Sequence, residues 1–449
     1  AAGAAGVNDA GRSEGIKRAP LVVYPYAEPV MSRIYVGWWV LLGLFLVYAS
    51  SNGIVTFTLP LFYPELINEF GWNEAEVTRP VAVFFVAAAI LHPFGGALLD
   101  RYSPRLLMLL GYGIVALALG FYPLANSLSQ LMVIYVVFGL GFGLAGLVAN
   151  MLVLTRWFVR YRGVAVGLLL MGASFGGAVF PLIVRQTLVE SGWREAVALL
   201  AVLGGILMIL PLIFMVRNRP QDLGLNPDGV VRTTEPSTAT MPALQVASGP
   251  TLLETLKSPI FYLLAFATGT LWFCLVGVLQ HQAIYLGQDL GVDKSIIPLA
   301  FSAFFWAGIA GKAGFGYLSD RLNKAHVMLG SIINLAIGLI VLRSINAEST
   351  VMIFAYAVIY GMAAGGAFAM IQLVIAEHFA GRAYGKILGI FTFVDTMAGA
   401  LGTQVIGIMR VTLDSYIPAL NLMISACVIA AICVIVMNEL AKRARKTLS

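Results

Sequence analysis

The chain has 449 residues, of which 59% are apolar and 11% are charged, and its mean hydropathy is +0.88. A soluble core cannot bury that much apolar surface, so the composition excludes a soluble protein and indicates an integral membrane protein. The formal charge of +6 would suit a nucleic acid only if it formed a basic face, and it is scattered over short segments between apolar runs, which argues against that partner.

Apolar runs long enough to span a bilayer occur twelve times. They cover residues 34–63, 77–99, 105–127, 129–155, 163–188, 195–216, 259–286, 296–318, 325–344, 350–376, 383–409 and 417–438. A polar stretch at 217–257, with five prolines and a Thr/Ser-rich centre, is typical of a flexible linker. The sequence therefore predicts an all-α membrane protein with twelve transmembrane helices in two six-helix bundles, at 34–216 and 258–440.

The polar flanks of these bundles indicate an orientation. We expect residues 1–33 to form a disordered N-terminal extension, in which the first 30 are not part of the functional unit, and 441–449 to form a basic tail. Placing both termini, the linker and the Arg-rich loops on one side collects 21 of the 28 Lys and Arg residues. By the positive-inside rule that side is cytoplasmic. We predict a multi-pass protein of the cell (inner) membrane with both termini in the cytoplasm.

A short motif repeats at about half the length of the chain. Gly96-x-x-x-Asp100-Arg101 closes the second apolar run, and Gly316-x-x-x-Asp320-Arg321 closes the eighth, at an offset of 220. Parallel repeats of this kind are typical of transporters. A second set of residues recurs at an offset of 222, namely Gly139, Gly143, Arg160, Gly163 and Gly167, which correspond to Gly361, Gly365, Arg382, Gly385 and Gly389.

Sequence motifs typical of soluble enzymes are absent or lie in a context that does not suit their function. Gly141-x-Gly143-x-x-Gly146 spells a dinucleotide-loop pattern, but it lies inside an apolar helix with no preceding strand, so we interpret it as close helix packing. There is no ATP-binding loop, no metal-ligand spacing and no catalytic constellation in an aqueous segment. We predict no catalytic activity, no cofactor and no metal, and a gradient as the driving force.

The chain resembles the major facilitator superfamily over residues 32–440, through its paired G-x-x-x-D-R loops. It resembles more narrowly the bacterial monocarboxylate and oxalate/formate-type branch. The residues that carry this narrower likeness are Tyr35-Val-Gly37-Trp38-Trp39, Arg156-Trp157-Phe158, Arg162-Gly163-Val-Ala165-Val-Gly167 and the linker opening Arg217-Asn-Arg219-Pro220. The resemblance implies a major facilitator fold and transport by alternating access.

Charged residues at the predicted cytoplasmic helix ends are candidates for a gate. A carboxylate there can hold neighbouring helix ends together in one conformation and release them in another. The alternative is that these charges only set the topology. The candidates are Asp100, Arg101, Arg105, Arg162, Asp320, Arg321, Lys324 and Arg382.

Two opposite charges are predicted at similar depth in the membrane. Asp395 lies ten residues after Gly385, about 15 Å into its span, and Lys312 lies eight residues before Asp320, about 12 Å from the cytoplasmic end. A lone charge there costs on the order of 3 kcal/mol or more, so each needs a partner or a wet cavity. One interpretation is a purely structural ion pair; the other is that Lys312 binds a substrate carboxylate while Asp395 takes up a proton.

The resemblance to this branch also implies which residue types to expect at the positions of Lys312 and Asp395. The branch commonly carries a cation at the position of Lys312, usually Arg, and a Lys is a point charge less suited to bidentate binding. Oxalate-exchanging members also place a cation in the span that here carries Asp395. This departure favours a singly charged acid over a dicarboxylate.

Further polar residues could complete a binding site. His92 occupies the position that corresponds to Lys312 at the motif offset and could bind the anion or relay protons, or the His92-Pro93 pair could simply mark a kink. Other residues could hydrogen-bond a small ligand or only satisfy neighbouring helices. They are Tyr48, Asn52, Asn150, Tyr356 and Tyr360.

We therefore predict a secondary active transporter of a small organic monocarboxylate, working as a monomer by proton-coupled symport. Its partners would be the carboxylate, protons and membrane lipid. The alternatives are an anion exchanger, an exporter of lipophilic compounds, or a non-transporting sensor on a transporter scaffold.

Overall fold

A computed structural model describes residues 35–229, 251–346, 349–379 and 383–448, with backbone only at 92–97, 99–100 and 444–448. These residues form helices without strands. The helices are α1 (Val36–Ser51), α2 (Tyr63–Phe70), α3 (Glu74–Arg101), α4 (Pro104–Phe121), α5 (Leu128–Ala145), α6 (Leu147–Trp157), α7 (Arg162–Glu190), α8 (Trp193–Phe214), α9 (Leu252–Lys257), α10 (Pro259–Ile284), α11 (Ile297–Arg321), α12 (Lys324–Arg343), α13 (Thr350–Phe379), α14 (Tyr384–Leu413) and α15 (Ile417–Leu448).

Eleven spans among the described residues are long and apolar enough to cross a membrane. The predicted second span corresponds to α3, whose 28 residues rise about 42 Å at 1.5 Å each. The fold is therefore the predicted all-α membrane architecture of two pseudo-symmetric bundles. The predicted N-terminal extension lies outside the described residues, as do positions 230–250 of the predicted linker.

Local sequence signals set the helix ends. Asn73 and Glu76 form a reciprocal capping box that starts α3. The loops that follow the two G-x-x-x-D-R motifs end alike: Ser103 caps α4, and Asn323, its counterpart at the motif offset, caps α12. The repeat therefore extends to the residue types that start the next helix. We call the end of the bundle that carries these two loops the motif end, and the opposite end the far end.

The pairs of helices that pack together are equivalent in the two bundles, as the repeated sequence motifs are. In the N-terminal bundle α3 packs on α5, α1 on α7, and α4 on α5 and α8; in the C-terminal bundle the equivalent pairs are α11 on α13, α10 on α14, and α12 on α13 and α15. Between the bundles α3 packs on α14 and α7 on α11, which are again equivalent pairs. The pseudo-two-fold therefore relates both the interior of each bundle and the contact between them.

Glycines allow these helices to approach closely. A Cβ on Gly139 would lie 2.6 Å from the Phe84 carbonyl oxygen, and a Cβ on Gly361 would overlap the carbonyl oxygen of Phe304, the counterpart of Phe84 at the motif offset. Gly141 meets Gly111 in the same way, with a Cβ placed 2.7 Å from its oxygen. The packing interpretation of the G-x-G-x-x-G pattern is therefore confirmed for Gly141, and for Gly143, where a Cβ would lie 2.5 Å from Leu91 Cβ.

Two spans depart from a continuous α-helix in their interior. The first continues from α1 through a π-helical segment, Asn52–Thr58, and a 3₁₀ turn, Leu59–Phe62, into α2. The fourth breaks at Gly146, between α5 and α6. Such irregular backbone at membrane depth is tolerated where it is buried in protein or lines a cavity. Both irregular segments contribute to the site described next.

Candidate functional site

A cavity of about 280 Å³ lies between the two bundles. It is lined by α1, α3, α5, α6 and α7 from one bundle and by α10, α11, α13 and α14 from the other. Eight Phe and Trp side chains, four from each bundle, dominate its walls. They are Phe57, Phe84, Phe85, Phe142, Trp272, Phe304, Phe305 and Phe368.

Lys312 is the one charged residue among the described residues that line this cavity. Its ammonium donates hydrogen bonds to the Leu170 carbonyl oxygen at 3.2 Å and to the Ser174 hydroxyl oxygen at 2.8 Å, both on α7 of the opposite bundle. It also lies 5.0 Å from the centre of the Phe368 ring. Lys312 is thus held by neutral groups, with no acidic partner within 4.0 Å among the residues that the structure describes.

The predicted pairing of Lys312 with Asp395 is wrong in this conformation. Asp395 is 4% exposed and lies beside Thr268 at the α10–α14 interface, inside the C-terminal bundle. Its Oδ1 has no hydrogen-bond partner. The reason is helical phase: the next residue, Thr396, lines the cavity, so Asp395 faces about 100° away from it. A buried carboxyl oxygen without a partner is costly, and a negative charge there costs more.

The repeat relates the two sides of the cavity. Phe84, Phe85 and Ala88 of α3 line it at positions that correspond, at the offset of 220, to Phe304, Phe305 and Gly308 of α11. The next residue in the α11 series is Lys312, and its α3 counterpart is His92. The His92 side chain lies outside the described part of the chain, so its anion-binding and proton-relay roles stay predictions.

The predicted polar residues divide into two groups. Tyr48 and Asn52 line the cavity as expected. Asn52 donates to the Tyr48 carbonyl oxygen at 3.3 Å, so its amide nitrogen already has a partner, and the π-helical turn that starts at Asn52 also places Thr56 on the wall. All three side chains face the space that a ligand would occupy.

Asn150, Tyr356 and Tyr360 do not line the cavity, contrary to the expectation of ligand contact. Asn150 donates to the Ala145 and Gly146 carbonyl oxygens at 3.1 and 2.9 Å, which satisfies backbone groups freed by the α5–α6 break. The two tyrosines are fully buried in the C-terminal bundle and donate to the Gln282 amide oxygen and the Cys274 carbonyl oxygen. All three are structural residues in this conformation.

The gate candidates lie at the motif end. Arg105 donates to the Leu212 and Ile213 carbonyl oxygens at 2.8 and 2.5 Å, which caps the end of α8 in its own bundle. Lys324 pairs with Glu377 at 3.8 Å, also within one bundle. Arg101, Arg162, Asp320 and Arg321 are exposed. The Asp100 side chain and all of Arg382 lie outside the described residues, so the gate remains a prediction.

Six glycines near the motif end have open space around them. Glycines there would accept a Cβ without meeting any atom within 4 Å, in contrast to the glycines of the bundle interiors. They belong to α7, α11 and α14, which supply the contacts between the bundles elsewhere. These glycines are Gly163, Gly167, Gly314, Gly316, Gly385 and Gly389.

Ion pairs join the bundles at the far end, which the sequence did not reveal. Lys294 pairs with Glu65 at 2.8 Å, and Arg410 Nε lies 3.5 Å from Glu74 Oε1 in the opposite bundle. Arg410 also pairs with Asp289 at 3.2 Å within its own bundle. A sequence signal existed, since these charges flank the spans, but pairs distant in sequence cannot be matched without the fold.

Hydrogen bonds also join the two bundles at the far end. Arg185 donates to the Ser295 carbonyl oxygen at 2.7 Å, from α7 to the segment before α11. Ser295 in turn bonds Asp293 through its side chain and its backbone amide, which lowers the pKa of that exposed carboxyl. Deeper in the molecule Tyr63 donates to Gln280 at 3.1 Å across the bundles. The bundles therefore meet at the far end and around Lys312.

Two repeated bundles around a central cavity that is closed at one end define a membrane transporter. The family model described as Major Facilitator Superfamily matches residues 40–283 and 261–448, so the chain belongs to that superfamily. Its likeness to the monocarboxylate and oxalate/formate-type branch is also confirmed by the relatives.

Relatives of the chain share about a quarter of its residues. It is 23% identical to an uncharacterized MFS-type transporter, YcxA, of Bacillus subtilis (87% of this chain, 92% of that protein). It is 25% identical to monocarboxylate transporter 13 of Bos taurus (85% and 84%) and 23% identical to the oxalate:formate antiporter of Oxalobacter formigenes (82% and 84%).

Solved structures share the fold. The nucleoside transporter NupG matches with a TM-score of 0.69 at 13% identity, over 90% of this chain and 99% of that one. A bacterial homologue of the lysosomal transporter Spinster, in an inward-facing and unoccupied conformation, matches with a TM-score of 0.64 at 18% identity, over 91% and 98%. These similarities support the fold, and the substrate has to be argued from the cavity.

Proposed function

We propose that the protein takes up a small organic monocarboxylate together with a proton, by alternating access of one central site. The observation that carries this proposal is the position of Lys312: a single ammonium in an otherwise uncharged cavity, held by a hydroxyl and a carbonyl rather than by an acid. An anion can replace those neutral partners, and a charge-assisted hydrogen bond is about twice as strong as a neutral one. One cation suits one carboxylate.

Asp395 is the proposed proton carrier. It is the one buried acidic residue of the described chain, and its Oδ1 lacks a partner. Its neighbour Thr396 lines the cavity, so a rotation of α14 by about 100° would bring the carboxyl to the site. Carrying a proton on Asp395 would cancel its buried charge and leave Lys312 to balance the substrate. The two groups would then act in sequence rather than as an ion pair.

The described conformation corresponds to the inward-facing state under this proposal. The positive-inside rule assigns the motif end to the cytoplasm. The cross-bundle contacts at the far end would then close the extracellular side, and the open space around the motif-end glycines would belong to the cytoplasmic opening. We place the protein in the cell (inner) membrane, with both termini in the cytoplasm, as a monomer.

Export of lipophilic compounds is the second candidate, because the cavity walls are largely aromatic. The two functions differ in their need for a fixed cation. Exchange and sensing can be distinguished from symport by transport measurements. An exchanger transports only when an anion is present on the opposite side of the membrane, and a sensor binds its ligand without transporting it.

The test is uptake of radiolabelled monocarboxylates into proteoliposomes, with and without an inward proton gradient. We expect accumulation that depends on the gradient, loss of uptake in Lys312→Ala, and normal uptake in Lys257→Ala, which removes an exposed lysine outside the cavity. Retained transport of a neutral lipophilic compound by Lys312→Ala would favour export. Uptake of no monocarboxylate by the unmodified protein would overturn the proposal.

A further inference from the structure

The cavity carries more aromatic surface than the binding of a carboxylate requires. We propose that the substrate is a monocarboxylate with a compact apolar body the size of about one aromatic ring, bound with its carboxylate on Lys312 and its ring between the aromatic walls of the two bundles. This inference rests on the proposed function and names the substrate class of the same site. It excludes hydrophilic acids of two or three carbons and dicarboxylates as the best substrates.

The available depth favours a compact body. The Lys312 ammonium bonds Ser174, and the Phe305 ring lies against Gly177, three residues further along α7 and so about 4.5 Å away along the helix axis. Phe305 packs on Phe57 of the opposite bundle, with ring centres 4.6 Å apart and the ring planes tilted by 32°. This aromatic pair closes the cavity towards the far end. A long linear chain pointing away from Lys312 would meet it early.

The side walls favour a ring. On the α3 side, Phe84 and Phe142 meet edge to face at 5.2 Å, and on the opposite side Trp272 and Phe368 do so at 6.2 Å. A further ring between these pairs would gain edge-to-face contacts beyond its burial. Phe368 also lies 5.0 Å from the Lys312 ammonium, so the aromatic wall begins beside the carboxylate anchor.

The size and charge of the cavity set the other limits. About 280 Å³ is just below the range of roughly 300–1,000 Å³ that holds drug-sized ligands. A second carboxylate would lie among aromatic side chains without a cation, because Lys312 is the one charged lining residue that the structure describes. Burying such a charge unpaired is strongly unfavourable. An aryl acid with one carboxylate satisfies all three constraints.

The experiment compares uptake and competition in proteoliposomes for acetate, propionate, benzoate, phenylacetate, 3-phenylpropionate, 4-carboxyphenylacetate and phenylacetamide. Each buried methylene is worth about fourfold in affinity, so we expect the aryl monocarboxylates to compete at least tenfold better than acetate. The dicarboxylate and the uncharged amide should compete poorly. Acetate or propionate matching the aryl acids would overturn this inference while leaving the proposed function intact, whereas no uptake of any acid would overturn the proposed function itself.

Substitutions in the cavity walls test where the aromatic ring of the substrate binds. Phe84→Leu and Trp272→Leu, one on each bundle, should weaken phenylacetate binding by about three- to tenfold and acetate binding by a smaller factor. Phe175→Leu is the matched control, since Phe175 lies on α7 outside the cavity lining and is partly exposed. Two cavity variants are used so that misfolding of one leaves the other as a test. Equal loss of acetate and phenylacetate binding in both, with normal folding, would contradict a ring site.

Discussion

The Lys312 ammonium of the C-terminal bundle donates a 2.8 Å hydrogen bond to the Ser174 hydroxyl oxygen of the N-terminal bundle. The side chain proposed to hold the substrate therefore also joins the two bundles when the site is empty. An arriving carboxylate has to compete with this bond. Substrate binding and the contact between the bundles are for this reason coupled at one atom, Lys312 Nζ.

Removal of the Ser174 hydroxyl should tighten binding. A net hydrogen bond of about 1 kcal/mol corresponds to about a fivefold change in affinity, so we expect Ser174→Ala to lower the dissociation constant for the substrate by roughly that factor. Equilibrium binding to purified protein measures it. Ser331→Ala is the control, because that buried hydroxyl bonds only the Met328 carbonyl oxygen of its own helix. Weaker binding in Ser174→Ala would mean that Ser174 contacts the substrate instead.

Asp395→Asn should uncouple transport from the proton gradient. With one proton carried per anion, accumulation can reach about tenfold per pH unit of gradient, and we expect the variant to approach a ratio of one while still exchanging labelled for unlabelled substrate. Steady-state accumulation at imposed gradients of one and two pH units measures this. Asp222→Asn, at an exposed carboxylate next to the last described residues of the linker, serves as the control. Full accumulation by Asp395→Asn would remove the proton role.

Glu74→Gln should shift the conformational equilibrium away from the described state. The side chains of Arg410 and Glu74 are 17% and 14% exposed. An ion pair of about 1 kcal/mol would change the ratio of conformations by about fivefold. Spin labels at Tyr102 and Leu253, exposed positions on opposite bundles near the motif end, should show more of a short-distance population.

The matched control for the far-end pair is Glu190→Gln. This exposed acid bonds Gln186 within α7 and so does not join the bundles. An unchanged distance distribution in Glu74→Gln would show that the far-end ion pair does not contribute to closure. High salt should produce the same shift as Glu74→Gln, because partly exposed ion pairs are screened.

Two glycines on α11 should respond oppositely to alanine. A Cβ on Gly311 would overlap the Met362 carbonyl oxygen of α13, and overpacking costs about 1–3 kcal/mol, so Gly311→Ala should lower the melting temperature in detergent by several degrees. Gly314→Ala, three residues later, meets no atom within 4 Å and should be neutral or stabilising. Thermal unfolding of the two variants decides this. Equal melting temperatures would contradict the close α11–α13 packing.

The sequence predicted the fold well because its signals are local. Span length, the spacing of the Gly-x-x-x-Asp-Arg motifs and the Gly139/Gly361 register need no tertiary information, and each corresponds to the helices or contacts observed. The break at Gly146 and the π-helical segment after Ser51 were not predicted. Both depend on neighbours that satisfy the freed backbone, and periodicity does not report such neighbours.

The site was predicted less completely because the position of a residue along a span gives its depth in the membrane but not the direction in which its side chain points. Lys312 and Asp395 were placed at similar depth, but helical phase turns Asp395 into its own bundle while Thr396 faces the cavity. The repeat held a usable signal: Thr396 is the counterpart of Ser174 in the second, Gly139/Gly361 register, and both line the cavity. The aromatic walls were not predicted because the sequence does not distinguish a Phe that faces a cavity from a Phe that faces lipid.

The open space around the motif-end glycines has a pharmacological consequence under the proposed function. An aryl anion with a side group too large for the bundles to close around would enter from that end, occupy Lys312 and act as a wedge. Because the proposed orientation assigns that end to the cytoplasm, such a compound applied from the cytoplasmic face would arrest the carrier in the inward-facing state.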